Sequence, residues 1–285
     1  MGHAQQLLAR YSVEANKHYR DSSMKVYGAI LGKLEQRARE AGETLMTVSP
    51  RTIERFLSEQ AHPTTAKRYA TFLHDVYRFL QQHGDIAYSP AHDLRDKYSY
   101  QEPVARTDGF ITQEQQDAFL QALPAPTNWK YARDAALLAL AVGTGVKLKE
   151  AIRLFTQDVY LNQAQPSVLV HHGRGTREVP IRPATLPYLK TWQAMRDQFN
   201  LTQLREYFPA SHRGGHLTPS AIYRLVRATL ERAGLGSLTH LGLTSLRVSY
   251  ARIEAAEGSA VGLLRHRLGH KHELSTLHLL GSSTK

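Results

Sequence analysis

The apolar residues of the first hundred positions recur at the spacing of α-helices. One stripe covers residues 22–41, a second segment opens at Ser49 and Pro50, and a third follows the break at 62–64 and closes at Gly84. In each segment the apolar side chains repeat every three or four residues, which places them on one face of a helix. Serine is a preferred N-cap and proline is tolerated in the first turn, so the second segment carries two helix-start signals. We therefore predict that the front of the chain is helical.

The pattern weakens at residues 88–104, which hold two prolines and no sustained period. Such a stretch is typical of a linker between domains. We predict a helical domain at 1–102 that includes this linker, and a second domain at 103–285.

Helical segments continue in the second domain. Thr112 and Gln115 have the spacing of a capping box, which predicts a helix that runs to residue 123. Further helices are predicted at 131–142 and 218–233, and helical patterns continue to the C-terminus.

One part of the second domain has a β pattern instead. Strand-forming residues at 167–170 and 178–181 flank a basic, glycine-rich turn at 171–177. This arrangement predicts a β-hairpin. The expected fold class is therefore mainly α with a small β-sheet.

The charge is high and unevenly distributed. The 285 residues have a formal net charge of +11, and the pI is near 9.8. Residues 1–102 carry 14 basic and 12 acidic side chains, whereas residues 103–285 carry 22 and 13. A basic excess in one domain is typical of nucleic-acid-binding proteins, although it also fits a surface kept for solubility.

Composition disfavours several other classes of protein and site. The chain has no cysteine, which excludes disulfides, thiolate metal sites and a cysteine nucleophile. The first residues contain no apolar run like that of a signal peptide, and no stretch approaches the roughly 20 apolar residues of a membrane span. The histidines at 171, 172, 266, 270 and 272 lack carboxylates at metal-ligand spacing. We expect a cytoplasmic, DNA-associated protein without a metal or a membrane partner.

Five short motifs follow one another in the second domain. In order they are LLALAVGTGVKLKEAIRL at 137–154, HHGRGTREVPI at 171–181, a segment at 208–235 whose helix begins LTPSAIYRLV, TSLR at 244–247 and LGH at 268–270. In order and spacing they resemble the catalytic domain of the tyrosine recombinase (phage integrase) family. The front domain is similar in kind to that family's SAM-like helical core-binding domain. The resemblance implies a core-binding domain followed by a mixed α/β domain of the catalytic type.

This resemblance also implies a DNA-processing site that needs no cofactor. Members of the family hold duplex DNA between the two domains and attack one phosphodiester with a tyrosine hydroxyl. Two arginines bind the phosphate, a lysine of the hairpin protonates the leaving oxygen, and histidines assist proton transfer.

Three positions of that site hold different residue types in this chain. Lys147 stands at the first arginine position, where it brings a point charge instead of a planar fork. Arg174 stands at the hairpin lysine position, and a guanidinium does not release its proton near neutral pH. Thr244 stands at the first position of the HxLR box and cannot act as a base. Positive charge is kept at these positions more than the capacity to transfer protons.

The remaining positions comprise retained groups and an absent nucleophile. Arg247 and His270 match the family pattern, and Glu150 matches the acid of its RxSE motif. The family tyrosine usually lies about nine residues after the LGH histidine, where this chain has His278 and Leu279. All 14 tyrosines of the chain lie at or before Tyr250, which we interpret as a core residue. His278 is an alternative nucleophile that would require the whole site to be retuned.

Charge and position together predict a set of DNA contacts. In the second domain they are Lys147, Arg174, Arg177, Arg213, Arg224, Arg227, Arg247 and His270, and in the front domain Lys67 and Arg68. For the front-domain pair, a solvated helix face is an equal alternative.

The features together indicate a duplex-DNA-binding protein of recombinase fold that is catalytically inactive. It would act as an accessory or regulatory factor in recombination, integration, transposition or plasmid control. Its expected partners are double-stranded DNA, an active recombinase or transposase, and further copies of itself on DNA. Two alternatives stay open: an active, divergent recombinase, and an RNA-binding or protein-assembly role.

Overall fold

Two units, Met1–Val104 and Ala105–Lys285, make up the computed structural model of the protein. The structure describes residues 2–98, 109–172, 175–238 and 242–281. The predicted domain boundary at 102/103 lies outside the described residues and stays a prediction. In the described part, no helix is both long and apolar enough to cross a membrane.

Helices build the described part of the first unit. They are α1 (His3–Glu14), α2 (Asp21–Glu40), α3 (Pro50–Ser58), α4 (Pro63–Gln82) and α5 (Leu94–Lys97). The three predicted helices are confirmed as α2, α3 and α4, and the Ser49 hydroxyl caps α3 by accepting the Thr52 N–H. The linker prediction is wrong for residues 94–97, because α5 forms there with Leu94 buried against the unit's core.

Aromatic side chains hold this bundle together. Tyr27 of α2 stacks on Phe72 of α4 with ring centroids 4.2 Å apart. The buried hydroxyl of Tyr77 donates to the Leu45 carbonyl at 2.9 Å, which ties α4 to the loop before α3. The sequence does not predict α1, although its Tyr11 is buried among the same rings.

Helices and short strands build the second unit. The helices are α6 (Gln113–Gln121), α7 (Trp129–Thr144), α8 (Leu148–Ala151), α9 (Leu186–Gln198), α10 (Pro219–Arg232), α11 (Leu243–Ala256), α12 (Val261–Leu268) and α13 (Glu273–Leu280). The strands are β1 (Val159–Tyr160), β2 (Ser167–His172), β3 (Gly175–Pro180), β4 (Pro209–Ser211) and β5 (Gly214–His216). The predicted capping box is present, because Thr112 and Gln115 cap α6 reciprocally.

The predicted hairpin is confirmed as β2 and β3. With β1 these strands form a three-stranded antiparallel sheet, in which Val168 pairs with Val179 and His171 with Thr176. The connection is shorter than the predicted 171–177, because β2 continues to His172 and β3 begins at Gly175. Strand pairing includes His171 with Thr176 and His172 with Gly175. Arg174, the residue at the predicted hairpin lysine position, lies outside the described residues.

Helix α7 is the centre of the second unit, and nearly all its residues are buried. It ends at Gly145, whose φ of 61° is in the left-handed region that favours glycine. Tyr250 of α11 packs directly on this glycine and is 1% exposed. The interpretation of Tyr250 as a core residue is therefore confirmed.

We expect Gly145→Ala to lower the free energy of unfolding by about 3 kcal/mol, combining left-handed strain with overpacking. The added Cβ would lie 2.4 Å from Cδ1 of Tyr250. Chemical denaturation measures the loss. Gly258→Ala is the matched control: φ is +92° there and nothing lies within 4 Å of an added Cβ. Equal losses in the two variants would contradict the proposed packing of Tyr250 on Gly145.

The C-terminal helix α13 packs within its own unit. Leu279 and Leu280 are half-buried against a cluster formed by Tyr250, Leu264 and Leu268. The described chain ends at Gly281, where the backbone turns with φ of 81°. This packing brings α13 beside His270.

Candidate functional site

Hydrogen bonds from two arginine side chains to main-chain carbonyls gather four segments at the C-terminal end of α7. The segments are the turn at 145–147, the first turns of α11, the turn at 268–270 and strand β3. Arg247 of α11 donates to the carbonyls of Gly145 and Leu268. Arg177 of β3 donates from Nε to the Arg267 carbonyl at 2.8 Å. The site therefore depends on tertiary contacts between residues far apart in the sequence.

Arg247 lies at the centre of these contacts. Its side chain is buried, Nη1 is 2.7 Å from the Gly145 carbonyl, and Nη2 is 3.0 Å from Nε2 of His270. Burial lowers the pKa of Arg247 to about 10, which leaves the guanidinium charged at neutral pH.

His270 lies between Arg247 and α13. Its Nδ1 is 2.9 Å from Oγ1 of Thr276, a fully buried residue of α13. Burial, followed by the positive charges of Arg247, Lys147 and Arg177, lowers the pKa of His270 to about 4. The imidazole is therefore neutral at physiological pH.

Lys147 is the exposed cation of the site. It is the residue before α8, and its N–H donates to Oε2 of Glu150 at 2.8 Å. This hydrogen bond fixes the backbone from which the lysine side chain projects. The positive charge of Lys147 acts on His270, because it contributes to the lowered pKa of that histidine.

Glu150 and Arg177 form a buried ion pair beside Lys147. Their two hydrogen bonds measure 3.0 and 2.7 Å, and their side chains are 9% and 1% exposed. Burial favours the neutral acid, but the hydrogen bonds from Arg177 and from the Lys147 N–H outweigh it and lower the pKa of Glu150. With its guanidinium occupied in this way, Arg177 has no surface for the predicted phosphate contact. The structure gives it a different role, that of joining β3 to the Lys147 turn and to the end of α12.

Gly269 allows this ion pair to approach the LGH turn. Its φ is +64°, and a Cβ there would lie 2.8 Å from Nη1 of Arg177. A glycine at this position of the motif thus has a packing reason as well as a conformational one.

The other predicted contacts lie elsewhere. Arg224 is exposed on α10, whereas Arg227 is half-buried and donates to the carbonyls of Gly236 and Leu238. Both stay predictions as phosphate contacts. Arg213 is exposed at the turn between β4 and β5. Its neighbour His212 packs on Trp129, with ring centroids 4.6 Å apart.

Distance separates Arg213 from the Arg247 site. Trp129 begins α7 and Gly145 follows its end. At about 1.5 Å of rise per residue these two residues are roughly 24 Å apart along the helix. Arg213 therefore belongs to the opposite end of the unit.

Four further predicted residues lie on surfaces. Lys67 and Arg68 are exposed on α4 of the first unit. His278 is exposed on α13, two positions beyond Thr276, and two helical positions differ by about 200° around the axis. His278 therefore does not point to His270 when Thr276 does. Thr244 is exposed in the first turn of α11.

Among the described residues, no group of three or more histidine, aspartate or glutamate side chains could hold a metal ion. The clustered histidines of the sequence separate in the fold. His171 pairs at 3.1 Å with Asp158, while His270 contacts Arg247 and Thr276.

Comparison with known proteins places the second unit in a family context. Residues 109–279 match the phage integrase family. Tyrosine recombinase XerC of Oceanobacillus iheyensis is 30% identical over 221 residues, which cover 74% of this chain and 68% of the relative. A tyrosine recombinase of Thermosipho africanus is 21% identical over 280 residues, which cover 95% of this chain and 92% of the relative.

A solved structure extends the likeness to the whole fold. The XerH site-specific recombinase, in a pre-cleavage complex with its difH substrate, has a TM-score of 0.74 and 19% identity; the match covers 100% of this chain and 82% of that one. The predicted fold class, mainly α with a small β-sheet, is confirmed.

Proposed function

Because this chain belongs to the phage integrase family, we propose that it binds duplex DNA at the Arg247 site without cutting it. The observation that carries the proposal is the pairing of Arg247 with His270 beside the exposed Lys147. Around this cationic centre, the positions that would move protons or attack phosphorus hold unsuitable side chains.

Charge at the site supports DNA binding. Arg247 stays charged near neutral pH, and Lys147 is exposed beside it. The carboxylate of Glu150 does not cancel these charges, because Arg177 already neutralises it in a buried pair. The net result is a positive site of the kind that phosphate contacts require.

The same residues argue against strand cleavage. The hydroxyl of Thr244 cannot act as a general base near neutral pH. No residue after Tyr250 is a tyrosine. His270 is neutral, and its Nε2 faces Arg247 instead of an open position. Arg174, at the motif position of the family's hairpin lysine, is a poor general acid, since guanidinium holds its proton near pH 7.

The proposed role is that of an accessory or regulatory protein in DNA recombination, integration, transposition or mobile-element control. The DNA-bound state of XerH supports duplex DNA as the partner. An active recombinase or transposase and further copies of the chain are the proposed protein partners. Such a protein would work in the cytoplasm on DNA.

An active recombinase is the second candidate. It is favoured by the retained Arg247 and His270, and by relatives that are named tyrosine recombinases. This candidate requires a covalent protein–DNA intermediate, which the binding proposal does not.

We expect the affinity for a mixed-sequence DNA duplex to fall steeply with salt. Several phosphates neutralised together give a slope of log K against log salt of about −4 or steeper. Lys147→Gln should reduce the magnitude of this slope by about 1, because one phosphate contact is lost. Fluorescence anisotropy over a salt series measures both. Lys190→Gln, an exposed lysine on α9, is the matched control and should leave the slope unchanged. Salt-independent binding, or no binding, would overturn the proposal.

A further inference from the structure

A buried hydroxyl group lies in the site at a position that the recognised motifs do not include. Thr276 of α13 is fully buried, and its Oγ1 is 2.9 Å from Nδ1 of His270. On the opposite side of the same ring, Nε2 is 3.0 Å from Nη2 of Arg247. The imidazole therefore bridges α13 and the guanidinium.

The chemistry of these contacts fixes where the imidazole proton lies. An arginine side chain has donors and no acceptor, so Nε2 of His270 must accept from Arg247. A neutral imidazole has one donor and one acceptor nitrogen, so the proton must then be on Nδ1. That N–H donates to the Thr276 oxygen. The low pKa of His270 agrees with a neutral ring.

We propose that Thr276 is a positioning residue of the anion site, which holds His270 as the Nδ1–H tautomer and thereby fixes the Arg247 guanidinium. The proposal rests on the proposed DNA-binding function and adds a residue of α13 to its site. It also excludes Thr276 as a replacement nucleophile in this arrangement. A base must accept the hydroxyl proton, whereas His270 here donates its own proton to the hydroxyl.

Removal of the hydroxyl would have two consequences for the site. The Nδ1–H would lose its acceptor away from water, which destabilises the present orientation of the ring. A change to the Nε2–H tautomer would relieve that loss but would point two donors, from His270 and Arg247, at each other. Either way the guanidinium would lose part of its support, although its bonds to Gly145 and Leu268 remain.

The test uses the full chain with Thr276→Val, which removes the hydroxyl and keeps the branched shape. Thr276→Ser restores the hydroxyl, and Ser275→Ala is the control at an exposed neighbour on the same helix. Nitrogen-15 NMR of the imidazoles without DNA reports the tautomer of His270. Anisotropy with a mixed-sequence DNA duplex reports affinity.

We expect the unaltered chain and Ser275→Ala to have the Nδ1–H form. In Thr276→Val this form should be lost or mixed, with affinity about fivefold lower or more, and Thr276→Ser should restore both. An Nε2–H tautomer in the unaltered chain, or unchanged tautomer and affinity in Thr276→Val, would overturn the inference. If Thr276→Val does not fold, the His270 tautomer in the unaltered chain and in Thr276→Ser still tests the inference, which predicts the Nδ1–H form in both. Absence of DNA binding by the unaltered chain would instead overturn the proposed function, because the tautomer is measured without DNA.

Discussion

Arg177→Met is expected to lower the free energy of unfolding by about 3–5 kcal/mol, because it leaves the buried Glu150 carboxylate without its counter-ion. The Glu150 side chain is 9% exposed and accepts two hydrogen bonds from Arg177. The loss should be largest above the pKa of Glu150, where the unpaired acid must either stay charged or take up a proton. Urea denaturation at neutral pH measures it.

A double variant separates the charge from the packing. Glu150→Gln with Arg177→Met removes both charges, and we expect it to recover part of the lost stability. Arg39→Met is the surface control, since Arg39 is 79% exposed and lies 4.0 Å from Glu35. Its effect should be within about 0.5 kcal/mol. If Arg177→Met behaved like Arg39→Met, the pair would not be the structural junction that we describe.

Arg247→Met is expected to weaken binding to a DNA duplex at least about tenfold, since it removes the proposed charge-assisted phosphate contact, of a kind worth about 1.5–3 kcal/mol. The guanidinium is the buried charge at the centre of the site, bonded to Gly145, Leu268 and His270. Affinity is measured by anisotropy at fixed salt, well below the melting temperature of the variant.

A second buried arginine provides the control for folding. Arg196 of α9 is 0% exposed and donates to the main-chain carbonyls of Leu201, Leu204, Glu206 and Tyr207. Arg196→Met should lower stability but leave the affinity of the folded protein unchanged. Equal loss of affinity in both variants would show that Arg247 acts through folding alone.

Local signals in the sequence predicted the elements that depend on neighbouring residues. The cap at Ser49 and the capping box of Thr112 and Gln115 are read from residues three positions apart, and both are present in the structure. The hairpin was predictable because β2 and β3 pair across a short turn. Helix α5 was missed because its single turn lies in a segment without a sustained period.

The roles within the site depend on distant residues. Arg177 is one of several basic residues near the hairpin, and nothing local shows that its partner is Glu150, 27 positions earlier. The role of Thr276 is equally difficult to predict from the sequence, because nothing near an isolated threonine on a short helix indicates that it contacts a histidine. Motif position did identify Lys147, Arg247 and His270 as neighbours, because the resemblance carries tertiary information that periodicity lacks.

At the site positions that differ from the family pattern, positive charge is kept more than the groups that would transfer protons. Lys147 keeps a cation where the family pattern has arginine, while Thr244 lacks the base of its box. The buried pair of Glu150 and Arg177 keeps the surrounding frame intact. A binding function needs this frame and these charges, but cleavage also needs a nucleophile and proton transfer.

Covalent trapping tests the central claim most directly. The full chain is incubated with a pool of nicked suicide duplexes at a salt concentration where anisotropy shows binding, and the mixture is then denatured. An established tyrosine recombinase with its own suicide substrate serves as the positive control. We predict binding by this chain without any denaturant-resistant protein–DNA adduct. An adduct that forms with the unaltered chain and disappears in Arg247→Met would contradict the proposal and identify an active recombinase.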